Sequence, residues 1–394
     1  MTTKRNHNSE CVIKFRQIID AFSYNQPVED GKVLPLWNLT FFLGAGFSYA
    51  WDKRYPLGTK LFEIDLDDIV YYHSEEYEYL LAFCKYCGFS RGLISYNQYT
   101  SIYYRLQLMR RHDFLQGRFW DKFGLERVEQ EFRLYFVRKL KKKTEYQYVD
   151  EKQKFAYLKK NYCFYTFFDQ ILSQLTGDSG VPEGIRTNFL TTNYDNIIER
   201  IIDFHISDIL PFYYYSYRGF TPNYANGSNL CVSPHDNQLV FPLLKLNGGF
   251  EIFKDADCFS LDYRNDEVSK FKKCAPEVIF PCQEQGYDTD YFKTIFPKAN
   301  RILQETNVLV VVGYAFPKED GLIRFLLKQF AESLRDSKDK IIFYIDYDRY
   351  GRENELKDRA LQIFPEFKSR LFVYTKGFTS FAKSFNKLKA SYEI

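Results

Sequence analysis

Apolar residues follow two different periods in the first part of the chain. Val12, Phe15, Ile19 and Phe22 recur at helical spacing, which predicts a helix over 11–24. The stretch LWNLTFFLGAGFS is a nearly unbroken apolar run that ends in glycines, the pattern of a buried strand entering a turn. From about residue 58 the texture changes. Segments such as KLFEIDLDDIVYYHSEEYEYLLAF and LERVEQEFRLYFVRKLKKK are charged, Tyr-rich and helical in period. The Gly and Ser cluster after FYTFFDQILSQLT stops a helix, so residues 58–184 are expected to form a helical insertion.

Strand character returns in IRTNFLTTNYDNIIER, which feeds straight into a helix, and again in QLVFPLLKLNGG after a Tyr-rich loop. NVLVVVGYAF, the helix KEDGLIRFLLKQFAESLRD, the strand KIIFYID, the helix ELKDRALQIF, the strand RLFVYTK and a final helix follow. Near-continuous apolar strands alternating with helices predict an α/β fold, a Rossmann-like parallel sheet with helices on both faces. Residues 1–57 and 185–394 are expected to build it, with 58–184 as a large helical insertion. No internal repeat is visible.

Composition narrows the class. A chain of 394 residues can bury one large core and carry an insertion. The net charge of +3 points to neither nucleic acid nor a membrane as a direct partner. The 33 Tyr and 39 Phe against 2 Met read as codon bias, and the lysine run 139–143 as a solvated helix end. No apolar run approaches the roughly 20 residues of a membrane helix, and MTTKRNHNSE lacks the apolar region of a signal peptide. Eight scattered cysteines suit a reducing compartment, so a cytoplasmic protein is expected. Cys84 and Cys87 have CxxC spacing, but Cys258, Cys274 and Cys282 supply no second pair. Helix packing, with no metal, is the expectation for them.

The candidate chemistry sits where strands end. In GAGFS, glycines would let backbone N–H groups reach a phosphate beside a helix start, although the third glycine of GxGxxG is missing. In TTNYD, Thr191 to Asp195, polar groups end a strand, with a helix cap by Asn193 or Asp195 as the alternative. In LLKLNGGF the polar residue ahead of two glycines is Asn247, an amide that cannot act as a base. VVVGYAFPKED ends a strand in Gly313, and YID places Asp346 at another strand end, where ribose hydroxyls are often held.

In this order GAGFS, YPLG, TTNYDNIIE, KLNGG and GYAF followed by Asp320 resemble the sirtuin family, in its bacterial antiphage-defence branch. The resemblance spans about 36–57 and 185–350. It implies that Gly44, Ala45, Gly46 and Ser48 cradle the phosphates of NAD. Thr192, Asn193 and Asp195 would line the nicotinamide-ribose pocket, Gly313 and Tyr314 the adenosine half, and Asp346 would face its ribose. The catalytic set implied is Asn193, Asp195 and Asn247. Three departures stand out. YPLGTK replaces the Pro-Asp-Phe-Arg loop of the deacylases, and the zinc module of two CxxC pairs is absent, so protein deacylation is not expected. Asn247 stands where the family has its catalytic histidine. His235, twelve residues upstream, could in principle substitute but reads as an exposed loop residue.

The function so implied is an antiphage-defence effector that hydrolyses NAD+ to ADP-ribose and nicotinamide. It would be a homo-oligomer partnered by a HerA-type ATPase, with DNA reached only through that complex and no membrane contact. Two alternatives remain at this stage. One is a weakened subunit that binds NAD or ADP-ribose without cleaving it. The other is a nuclease subunit, although no clustered Asp/Glu/Lys motif is found.

Overall fold

Strands that are apolar on both faces need cover on both faces, and this chain provides it. The computed structural model describes residues 7–24, 37–116, 120–143, 151–172, 185–209, 214–227, 239–263, 276–282, 286–332 and 340–388. The strands in chain order are β1 (Trp37–Leu43), β2 (Ile64–Asp65), β3 (Leu93–Ile94), β4 (Ile185–Thr191), β5 (Tyr214–Tyr217) and β6 (Ala225–Asn226). They continue as β7 (Leu239–Lys245), β8 (Gly248–Asp255), β9 (Cys258–Asp262), β10 (Pro276–Val278), β11 (Val308–Val312), β12 (Ile341–Ile345) and β13 (Leu371–Tyr374). Seven of them form the central sheet in the order β13-β12-β11-β1-β4-β7-β5, with every pairing parallel. The fold is a Rossmann-like α/β architecture.

Side-chain alternation shows how the two faces are used. Leu39, Phe41 and Leu43 of β1, with Val308, Val310 and Val312 of β11, join one core. Phe42, Leu309 and Val311 join the other. The first core is closed by helices His7–Tyr24, Glu151–Leu172 and Gly377–Lys387, where Phe15, Phe167, Phe381 and Phe385 pack ring against ring. The second is closed by helices Asp290–Glu305, Gly321–Lys328 and Glu353–Leu361. Each fully buried ring of this kind contributes about 1.5–3 kcal/mol of burial free energy.

The described residues between 58 and 172 are mostly helical and also contain the short antiparallel pair β2–β3. Its core is continuous with the first face of the sheet. Phe62 stacks on Tyr99 and meets Tyr194 and Phe280, which lie beside the sheet's edge. The insertion therefore walls that edge.

A second sheet, β10-β8-β9-β6, goes beyond the sequence expectation. The run LLKLNGGF is two strands: β7 ends at Lys245, and β8 leaves in a different sheet from Gly248. The predicted helix over 318–336 is shorter than expected, Gly321–Lys328, with residues 329–332 in turns and 333–339 outside the described residues. Among the described residues no helix is long and apolar enough to cross a membrane.

Candidate functional site

Register brings the strand ends together. Leu43 pairs with both Val312 and Thr191, Val312 pairs with Ile345, and Thr191 pairs with Lys245. Five parallel strands thus finish in one row, so the residues just beyond it share the carboxyl edge. Those residues are Gly44, Gly313, Thr192, Asp346 and Leu246. Chain order reverses between β1 and β11, the crevice where α/β sheets take ligands.

A cleft of about 590 Å³ opens there, within the usual range for small-molecule sites of roughly 300–1,000 Å³. Ala45, Gly46, Ser48, Thr192, Asn193, Asp195, Asn247, Gly313, Tyr314 and Asp346 all line it. Gly44 lies behind them, its carbonyl accepting a bond from Asn193 Nδ2 at 2.9 Å. Tyr55, Leu57, Phe62, Tyr96 and Leu140 form the opposite wall. His235 lies outside the described residues.

Around Ser48 the polar groups interlock. Ser48 Oγ donates to Asp195 Oδ2 at 2.5 Å and accepts from Asn193 Nδ2 at 2.9 Å. Asp195 Oδ1 accepts the Ile197 N–H at 3.1 Å, so Asp195 also caps the helix Ile197–Ile209. The same side chain thus bonds the first N–H of the helix and lines the cleft. Burial, against the pull of Ser48 and Lys245, holds the Asp195 carboxyl above the usual aspartate value. Asn247 is fixed at both ends of its amide. Its Nδ2 donates to Thr192 O at 3.2 Å, and its Oδ1 accepts from the Tyr287 hydroxyl at 3.4 Å. Asp346 receives the Tyr347 N–H, the Tyr344 hydroxyl and Arg359.

Gly46 and Gly313 line the cleft and also let two turns pack closely together. A Cβ on Gly46 would sit 2.6 Å from Gly313 Cα, and one on Gly313 would sit 2.5 Å from Gly46 Cα. The turns after β1 and β11 are in backbone contact, pinned by Gly46 N donating to Gly313 O at 2.9 Å. Gly46→Val should therefore lower stability by about 1–3 kcal/mol through overpacking, whatever it does to a ligand. A urea titration reads this; unchanged stability would refute the contact. Gly248, at φ +75°, lies against the Glu277 carbonyl, and a Cβ on Gly249 would meet the Glu251 carboxylate.

That carboxylate belongs to a group that sequence reasoning missed. Lys245, Glu199 and Glu251 are all at most 2 % exposed. Lys245 Nζ donates to Glu251 Oε1 at 2.7 Å, Glu199 Oε1 at 3.1 Å and the Asp195 carbonyl at 2.7 Å. The ion cluster thus holds the turn that carries Asp195. A lysine ending a buried apolar strand, two positions before Asn247, was the available signal. Burial pushes the Glu251 carboxyl up in spite of Lys245, while its two acidic neighbours raise Lys245 against the effect of burial.

Cys84 is buried on the helix Glu78–Tyr86, and burial pushes its thiol up to about 12, as helix packing implies. Among the described residues no group of three His, Cys, Asp or Glu is arranged to hold a metal.

No protein-family model matches the chain, and comparison with curated proteins gives no match. Among solved structures it is similar to a Sir2 in complex with the inhibitor EX-527, 2'-O-acetyl-ADP-ribose and a deacetylated p53 peptide. Identity is 13 % and the TM-score 0.33, over 88 % of this chain and 91 % of that one, too low a likeness to carry a family or a function.

Proposed function

We propose that the chain binds NAD+ in this cleft and hydrolyses its nicotinamide glycosidic bond, as an antiphage-defence effector working with a HerA-type ATPase. One observation supports this above the others. Residues picked from separate motifs for a dinucleotide line a single cleft at the carboxyl edge of the sheet. In this assignment the turns around Gly46 and Gly313 flank the diphosphate, and Asp346 takes a ribose hydroxyl. Asn193, Ser48 and Asp195 stand at the glycosidic end. The bond breaks through an oxocarbenium-like transition state, and nicotinamide leaves without a strong acid. The buried Asp195 carboxylate would stabilise the developing positive charge, where low dielectric makes it most effective. Incubating the purified chain with NAD+, alone and with the ATPase, should release nicotinamide. No release in either mixture would refute hydrolysis.

Asn247 favours a second reading, in which the cleft binds the dinucleotide and does not cleave it. Both ends of its amide are taken by the protein, and it titrates nowhere. Asn247→His separates the two. On the hydrolase reading it should accelerate cleavage by about 10²-fold or more, with a new apparent pKa of roughly 6–7. An active wild type with no acceleration in Asn247→His would place the base elsewhere. Tight NAD+ binding with no nicotinamide from either form would establish the binding-only reading.

A further inference from the structure

A second cavity, of about 330 Å³, lies between the insertion and the stretches 277–282 and 286–292. Among the described residues it shares no lining residue with the first cleft. The two are neighbours all the same. Pro281 lines the cleft, whereas Ile279, Phe280 and Cys282 line the second cavity, so one run of chain partitions them. The NAD+ reading makes no use of this space.

Its chemistry comes from arginine. Arg110 and Arg111 end the helix Tyr96–Arg111, and Arg133 lies on the helix Lys122–Lys143. One carboxylate stands between Arg110 and Arg133. Glu129 Oε2 pairs with Arg110, and its Oε1 takes Arg133 Nη2 at 2.7 Å and the Tyr103 hydroxyl at 3.2 Å. Arg133 Nε is buried and has no hydrogen-bond partner among the described residues. A Cβ on Gly286 would lie 3.1 Å from Arg111 Nη2, so that guanidinium reaches from the insertion to the 286–292 stretch.

The lining also holds Glu277 and Asp288, so by count its acids equal its arginines. Position separates them. Glu277 accepts the Thr289 hydroxyl at 3.1 Å, and Asp288 is exposed beside Gly286. Glu129, which is buried, serves two guanidiniums at once, so that group is a net cation before Arg111 is added. Guanidiniums converging on one enclosed space suit phosphate, since each offers a planar fork of N–H donors and stays charged. The volume, at the lower end of the roughly 300–1,000 Å³ of small-molecule sites, suits a compact ligand.

We infer that this cavity is a second ligand site, which takes the phosphoryl group of a small phosphate-bearing molecule on Arg110, Arg111 and Arg133.

Calorimetric titration of the full chain with inorganic phosphate, at low salt, tests this. Wild type should bind phosphate saturably. Arg111→Gln should weaken that binding by at least about tenfold, since it removes a charge-assisted fork of hydrogen bonds. Arg111→Lys, which keeps the charge, should lose less. Arg111 is exposed, so both variants should fold, and thermal unfolding without phosphate checks that they do. No saturable binding by wild type, or unchanged binding in folded Arg111→Gln, would overturn the inference. Displacement of phosphate by NAD+ would place the anion in the first cleft and overturn it too. Nicotinamide release is read separately, so the site can stand where the NAD+ reading fails.

Discussion

Lys245→Met is expected to lower stability by about 3–5 kcal/mol, because it leaves two buried carboxylates without their cation. Glu199 Oε2 already lacks a hydrogen-bond partner, so nothing nearby can take up the loss. The deficit should depend on pH with a definite sign. Glu251 is already raised in the folded protein by burial, and removal of Lys245 raises it further. An acid raised on folding contributes stability at low pH that disappears as pH climbs through its folded value. The variant should therefore lie nearest wild type below the ordinary glutamate value of 4.5 and fall away above it. Denaturant titrations from pH 4 to 8 measure this. A flat difference across that range would show that the carboxyls are not what the lysine serves.

On the hydrolase reading, Asp195→Asn should reduce NAD+ cleavage by about 10²–10³-fold while leaving the fold almost untouched. The amide oxygen can still accept the Ile197 N–H, so that bond survives, while the charge opposite Ser48 is lost and the amide NH2 must donate to Ser48 Oγ where Oδ2 accepted from it. Asp195→Ala removes both and should cost about 1–2 kcal/mol besides. Comparing turnover per folded molecule in the two variants separates capping from catalysis. Full turnover in Asp195→Asn would leave the carboxylate with the cap alone. In wild type, activity should fall as pH drops through the raised Asp195 value, above the ordinary 3.8.

The sheet was legible because β11 and β12 are apolar on both faces, and β1 and β4 become so toward their carboxyl ends, a pattern that fits a covered parallel sheet. The site was legible because each of these strands gives way abruptly to Gly, Asn or Asp. What escaped was set by contacts that local sequence does not carry. LLKLNGGF reads as a strand that ends in a glycine turn, and nothing local shows that a second strand, β8, begins at those glycines. The break depends on Gly248 at positive φ packing against Glu277, nearly thirty residues on. The Gly46–Gly313 contact likewise joins turns remote in sequence, a close approach that neither glycine announces on its own. Lys245, Glu199 and Glu251 were invisible as a set because each looks like an isolated charge until the fold brings them together.

Neighbouring strands β1 and β4 are separated in the chain by residues 44–184. During synthesis at about 5–20 residues per second, the apolar strand Trp37–Leu43 emerges about 7–30 s before its parallel partner exists. Through that interval WNLTFFL has no sheet to join, and β11 arrives later still. Phe167 and Phe168, which pack on Phe41 in the finished protein, are made only shortly before β4. The central strand of the sheet is thus a part of the core that waits long for the partners that cover it.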